Sequence, residues 1–116
     1  MKIGERFIGE DYPCLITSEI GINHSGSLEM AKKLIDVSVL AGADCVKFQK
    51  RTVEVVYSEE ELNKARESPW GLTNRDQKLG LEFGEREYTE IDTYCREKKI
   101  IWYASPWDLD SVSFLE

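Results

Sequence analysis

Histidine occurs once in these 116 residues. A single imidazole does not make the usual zinc site, which gathers several His, Cys or carboxylate ligands. Cysteine is almost as sparse: Cys14, Cys45 and Cys95 fall at no CxxC spacing, which argues against both a disulfide framework and a zinc knuckle. Cys14 and Cys45 each start an apolar run, and Cys95 lies on the apolar side of a helical pattern. All three therefore read as small buried hydrophobes in a reducing compartment. Basic residues are outnumbered, 15 Lys and Arg against 22 Asp and Glu, for a net charge of −7. The basic footprint of a nucleic-acid reader is missing, and any anionic substrate must find its positive charge locally. No secretory h-region follows Met1 and no apolar run is long enough to span a bilayer. The chain reads as cytoplasmic, with neither nucleic acid nor membrane as a partner. It has no repeat and no low-complexity tract.

What is present is 41% hydrophobic and 10% aromatic sequence, enough for a packed core. Residues 1–12 alternate glycine with short apolar pairs and suggest a small hairpin. Behind Pro13 a strand is expected from Cys14 to Ile20. After the loop Gly21–Gly26, Ser27 is a plausible N-cap, with Glu29 in the first turn. Ala31, Leu34, Ile35, Ser38 and Ala41 recur at helical spacing up to the stop at Gly42. A second strand begins at residue 44 or 45 and runs to Gln49. Residues 50–84 form a long excursion, with a short helix over Ser58–Arg66 capped by Ser58 and with Pro69, Gly71, Gly80 and Gly84 as breakers. A connection of that length in a compact domain is usually functional or disordered. A second long helix is expected over Glu85–Lys98 and a third strand over Ile100–Ala104. Ser105–Asp108 then turns into a third helix, with Ser105 a candidate for its N-cap.

Strand, helix, strand, helix, strand, helix calls for a parallel sheet with right-handed crossovers. A doubly wound sheet covers both faces of its strands with helices, so those strands read as continuous apolar runs. A barrel turns one face to the helices and the other to the lumen, where the C-terminal strand ends carry the chemistry. In the second strand Val46 and Phe48 share one face; Cys45, Lys47 and Gln49 share the other, which grows polar toward its C-terminal end. In the first strand Ile16 and Ile20 oppose Leu15, Thr17 and Glu19, with the same gradient. The pattern favours an α/β fold made of the N-terminal three β/α units of a TIM (β/α)8 barrel, with parallel strands, preceded by a small β-hairpin. Residues 1–12 would be that hairpin and 13–116 a partial barrel. A complete barrel takes eight units and about 250 residues, so on this reading the chain is a fragment of a larger catalytic domain.

The segment Ser18-Glu19-Ile20-Gly21-Ile22-Asn23-His24-Ser25-Gly26 resembles the signature that opens the barrel of the sialic acid synthase family. Ala41-Gly42-Ala43-Asp44-Cys45-Val46-Lys47-Phe48-Gln49-Lys50 resembles that family's second-strand motif, and Leu81–Gly84, the Tyr88 helix and Ala104–Asp108 resemble its third unit. The resemblance covers nearly the whole chain. It implies a metal-dependent condensation in which C3 of phosphoenolpyruvate attacks the aldehyde of an open-chain N-acetylmannosamine-like amino sugar, water adds at C2, and phosphate leaves. It further implies a divalent metal, Mn²⁺ or Mg²⁺, held by two histidines outside this chain, and a homodimer closed by a C-terminal antifreeze-like domain. The motifs do not distinguish among the nonulosonic acids such enzymes make.

The same motifs single out candidate residues. Lys47, near a strand end on the lumen side, is costly to bury without an anion; it either cradles phosphoenolpyruvate or forms an ion pair with an acid such as Glu19. Glu19 is the candidate for proton transfer at the aldehyde or at a metal-bound water. Gln49 shares the face of Lys47 and is a candidate hydrogen-bonding partner for either substrate, or a polar filler at the rim. Asn23 and His24 stand in the loop above the first strand and either contact substrate or fix the loop. Asn74 lies on the long excursion, which in the family contacts the sugar. Two other readings remain open: a different TIM-barrel aldolase or synthase acting on phosphorylated substrates, with a strand-end lysine as the Schiff-base or phosphate residue, and a small α/β binding domain without catalysis.

Overall fold

The computed structural model describes residues 1–116. At the N-terminus Lys2–Ile3 (β1) and Arg6–Phe7 (β2) pair antiparallel. This hairpin docks beneath the main sheet. Gly4 sits so close to Ile101 that a Cβ there would lie 2.8 Å from its Cδ1, and Arg6 pairs with Asp44 at 2.8 Å.

Thr17–Gly21 (β3), Cys45–Lys50 (β4) and Ile101–Pro106 (β7) form a parallel three-stranded sheet in the order β3-β4-β7. The strands are adjacent, parallel and ordered as the alternation of strands and helices requires. β3 starts later than the apolar run suggested. Asp44 accounts for this: its carboxylate accepts from the Ile16 amide at 2.8 Å, and its own amide donates to the Ile16 carbonyl at 2.8 Å. Ile16 is thus held by a neighbouring loop, and its side chain is 54% exposed rather than in line with Ile20. Cys14, expected in the core, is exposed, whereas Cys45 and Cys95 are buried.

Leu28–Leu40 (α1) and Glu85–Lys98 (α5) follow the apolar periodicity. Ser27 caps α1 by accepting from the Met30 amide. Both helices cover one face of the sheet, where Ile20, Val46 and Phe48 meet Ala31, Ile35, Ile91 and Cys95 in a single apolar cluster. Ser38 adds a polar contact on this face, donating to Ser18 Oγ at 2.7 Å. Leu109–Leu115 (α6) closes the series. Its cap is Asp108, not Ser105: the Asp108 carboxylate accepts from the Ser111 amide and from both the amide and hydroxyl of Thr52. An aspartate with two oxygens serves two elements at once, which a serine hydroxyl does not.

The excursion is more ordered than its breakers suggested. Val53–Val56 (α2) and Glu59–Leu62 (α3) precede a second hairpin, Ala65–Ser68 (β5) and Gly71–Thr73 (β6), and then Asn74–Leu81 (α4). Ser58 does cap a helix, but that helix ends at Leu62. Gly80 lies inside α4 instead of breaking it. Trp70 packs flat against it, and a Cβ at Gly80 would meet the indole at 2.2 Å. Gly26, at φ +71°, closes the same cluster from the β3–α1 loop, where a Cβ would strike the Gly80 carbonyl at 2.2 Å. The excursion is anchored back to the sheet by a buried ion pair. Arg51 Nε donates to Glu82 Oε1 at 2.6 Å, and the Arg51 amide donates to Oε2 at 3.2 Å; the side chains are 5% and 11% exposed. No helix of this structure is long and apolar enough to cross a membrane.

His24 belongs to this framework. It is buried, its ring stacks on Phe83 at 4.0 Å, and its Nδ1 accepts from the Gly26 amide at 3.1 Å. Burial pushes its imidazole down from 6.5 to about 4.

Two predictions follow from this packing. Removing Glu82 leaves a buried guanidinium uncompensated, so Glu82→Ala is expected to destabilise the protein by about 3–5 kcal/mol in urea unfolding, and Glu82→Gln by clearly less. His24 titrates lower in the native state than in the unfolded chain, so its contribution is complete above pH 6.5 and disappears as pH falls toward 4. The difference in unfolding free energy between the parent and His24→Phe is expected to shrink over that window by roughly 3 kcal/mol. A difference that is flat with pH contradicts the assignment.

Candidate functional site

The face of the sheet turned away from the helices carries the polar residues. Register sets them in rows: Thr17, Cys45 and Ile101 lie deepest; Glu19, Lys47 and Tyr103 come next; Gln49 and Ser105 lie toward the C-terminal ends. Side-chain alternation puts these residues on one face and Val46, Phe48, Trp102 and Ala104 on the other.

Lys47 and Glu19 meet at 2.5 Å between Nζ and Oε1. Adjacent parallel strands put their Cα atoms in register, and both side chains extend over the same face. Within these residues the lysine is 24% exposed and the carboxylate 60%. The hydrogen bond with Glu19 raises the pKa of Lys47, and burial opposes it only in part. The lysine therefore stands protonated at neutral pH.

Gln49 follows on the same face, and its strand is fixed from behind, where the Tyr88 hydroxyl donates to the Gln49 carbonyl at 2.7 Å. Gly21 ends β3 beside this side chain at φ +55°, a backbone conformation that favours glycine. Asn23 is exposed at the loop above β3, with Nδ2 donating to the Ile20 carbonyl at 3.0 Å. Glu19, Lys47 and Gln49 thus lie on one face of the sheet, and Asn23 stands in the loop that follows β3.

Two other candidates stand elsewhere. His24 faces the core, as described. Asn74 opens α4 and is buried, with Nδ2 donating to the Glu61 carbonyl at 2.9 Å and to Glu61 Oε1 at 3.2 Å; it ties α3 to α4. Its polar character comes from a helix junction, which sequence spacing does not distinguish from a loop contact. Tyr103 also lies in the row of Lys47. The alternation applied to the first two strands, carried to the third, would have put Tyr103 beside Lys47.

For the divalent metal that the resemblance implies, the fit is poor. No group of three or more His, Cys, Asp or Glu side chains could hold an ion here, and the one imidazole uses its Nδ1 within the core.

Known proteins resemble this chain in sequence and fold. Human N-acetylneuraminate-9-phosphate synthase is 39% identical over 112 residues, which is 95% of this chain and 31% of that protein. The N,N'-diacetyllegionaminic acid synthase of Campylobacter jejuni is 34% identical over 108 residues, 87% of this chain and 31% of the relative. The chain therefore spans about a third of the length of these relatives. Among solved structures, the N-acetylneuraminic acid (sialic acid) synthetase of Leptospira borgpetersenii superposes with a TM-score of 0.80 at 27% identity, covering 99% of this chain and 36% of that one. Residues 34–116 match the NeuB family, and with that match, these relatives and this fold, the chain belongs to the NeuB family.

Proposed function

We propose that this chain contributes the first three β/α units of a (β/α)8 barrel in a cytoplasmic synthase that condenses phosphoenolpyruvate with an N-acetylmannosamine-like sugar to give a nonulosonic acid. The observation that carries this reading is the exposed Lys47–Glu19 pair at the strand ends of the face opposite the helices. Family membership supports the reaction class.

In this proposal Lys47 binds the phosphate or carboxylate of phosphoenolpyruvate as a point charge. Gln49 orients the bound substrates by hydrogen bonding, and Asn23 lies at the rim. The new bond joins C3 of phosphoenolpyruvate to the sugar aldehyde carbon, and the aldehyde oxygen takes up a proton. Water adds at C2, and phosphate departs as the C2 carbonyl forms. Glu19, released from Lys47 when the anion binds, is the group that handles the proton at the aldehyde oxygen. A divalent cation in the full-length protein would supply Lewis-acid activation of the aldehyde, from ligands outside these residues. The roles of Lys47 and Glu19 do not depend on it. The full-length protein is proposed to work as a homodimer.

The aldolase alternative is disfavoured by charge. A Schiff-base lysine must reach its neutral form, and desolvation or a neighbouring cation usually lowers its pKa. Lys47 has a carboxylate partner and is shifted the other way.

The reading is tested by incubating the full-length protein with phosphoenolpyruvate and either N-acetylmannosamine or its 6-phosphate, following phosphate release and product mass. Two sugars are needed because one relative is a 9-phosphate synthase and another a legionaminic acid synthase. Turnover with either supports the reaction, and none with both and with added Mn²⁺ or Mg²⁺ rejects it. In the active protein, Lys47→Ala is expected to raise KM for phosphoenolpyruvate with a smaller change in kcat, and Glu19→Ala to lower kcat about 100-fold. Near-normal kinetics in both variants, combined with a lowered Tm, would show the pair to be structural only.

A further inference from the structure

Pro69 and Trp70 make the turn between β5 and β6, and that turn is tied to α4. Asp76 accepts from the Leu72 and Thr73 amides at 3.1 Å and from the Thr73 hydroxyl at 2.8 Å. Ser68 Oγ accepts from the Trp70 amide at 3.4 Å and donates to the Gly71 carbonyl at 3.2 Å. The indole lies over Gly80, about one helical turn beyond Asp76; a Cβ at Gly80 would fall 2.2 Å from both Cγ and Cδ2 of the ring. Its far edge reaches the β3–α1 loop. A Cβ at Gly26 would lie 3.2 Å from Trp70 Cζ2 and 2.2 Å from the Gly80 carbonyl oxygen. One ring thus rests on two segments distant in sequence, and neither has a side chain where they meet.

The loop it touches is internally braced. The Asn23 amide donates to the Ile20 carbonyl at 2.9 Å, Ser25 to Ile22 at 3.0 Å and Ser27 to His24 at 2.9 Å. Turns linked in this way shift together rather than residue by residue. The strand and α1 fix where the loop starts and ends, and two contacts fix how it stands between them. One is the His24 ring on Phe83 at 4.0 Å. The other is Gly26 against Gly80 and Trp70. All of these partners lie between Ile20 and Phe83, so the junction is made wholly by this chain. The loop begins directly after Glu19 and carries Asn23.

We propose that Trp70 is a positioning residue: its indole, seated on Gly80 and against Gly26, clamps the excursion to the β3–α1 loop and holds that loop in place beyond Glu19. The consequence for catalysis rests on the function proposed above; the clamp itself does not.

The experiment uses the full-length protein with Trp70→Ala, Gly80→Ala and the double variant, followed by amide hydrogen exchange and peptide mass spectrometry. Gly80→Ala guards against a trivial loss of folding, because alanine favours a helix over glycine; a loosened loop in this variant comes from the displaced indole and not from a weakened α4. Each single variant is expected to speed exchange over residues 22–27 about tenfold while β4 and α5 stay as slow as in the parent. The double variant is expected to exchange no faster than Trp70→Ala alone, since the added methyl no longer meets a ring. Unchanged loop exchange in both single variants overturns the clamp. So does equal acceleration in β4 and α5, because the ring is then a general core residue. Additive acceleration in the double variant overturns the seating of the ring on Gly80.

In the kinetic arm, Trp70→Ala is expected to lower kcat about tenfold with KM for phosphoenolpyruvate nearly unchanged, because the loop adjoins Glu19 whereas Lys47 is held on β4. A rise confined to KM for phosphoenolpyruvate, or unchanged kinetics in a variant whose loop exchanges faster, overturns the positioning role. If the parent turns over no phosphoenolpyruvate, the functional reading fails while the exchange still decides whether Trp70 is the clamp.

Discussion

The pairing of Arg51 with Glu82 is the interaction on which the rest of this structure depends. It joins the end of β4 to a residue 31 positions later and so closes the whole excursion onto the sheet. Moving two charges out of water costs several kcal/mol per ion, and an apolar contact of the same shape often does as well energetically. What an apolar contact lacks is direction. Here one carboxylate oxygen takes the Arg51 side chain and the other its backbone amide. The Tyr57 hydroxyl accepts from Nη1 at 2.9 Å, and the Tyr57 and Trp107 rings lie 5.8 Å and 5.4 Å from the guanidinium carbon. The neighbouring residues repeat the attachment: Lys50 donates to the Phe83 carbonyl, and Thr52 to Asp108. With its C-terminal end fixed on both sides, β4 presents Lys47 and Gln49 at defined positions.

The parts of this fold legible in the sequence were those governed by period. Helical spacing located α1 and α5, and alternation separated the two faces of β4 and placed Lys47 opposite Glu19. Misreadings arose where a single side chain overrode a pattern. Asp44 captures Ile16 and delays β3, although the residues from Cys14 onward look like strand. Trp70 needs a residue without a side chain beneath it, so Gly80 survives within a helix. Both depend on contacts between distant segments, Ile16 with Asp44 and Trp70 with Gly80, which local propensity does not contain.

The candidate site divides in the same way. Motif and alternation together put Glu19, Lys47 and Gln49 on one face, where the structure has them, because strand parity determines where a side chain points. His24 and Asn74 were chosen from a motif and a loop, where parity says nothing, and both are occupied by the framework. A buried imidazole stacked on Phe83 and an amide bridging two helices leave little polar surface for a ligand. Polar residues in loops that fold back on the domain satisfy the backbone first.

Charge balance gives the site its last constraint. Lys47, Lys50 and Arg51 put three cations within five residues, yet parity and packing send them to different ends. Lys50 lies 4.6 Å from the centre of the Phe114 ring and donates to a carbonyl, and Arg51 is neutralised by Glu82. Only Lys47 stands on the open face, and Glu19 brings the net charge of that pair to zero. A multiply charged anion arriving there meets no net attraction from the pair and must displace Glu19 to reach the ammonium. Exposed ion pairs are worth about 0–1 kcal/mol, so displacement is cheap, and it leaves a free carboxylate beside the bound anion. That carboxylate repels the anion unless another cation or a proton compensates it. In the proposed reaction the compensation is chemical: the proton that this group passes to the nascent alkoxide.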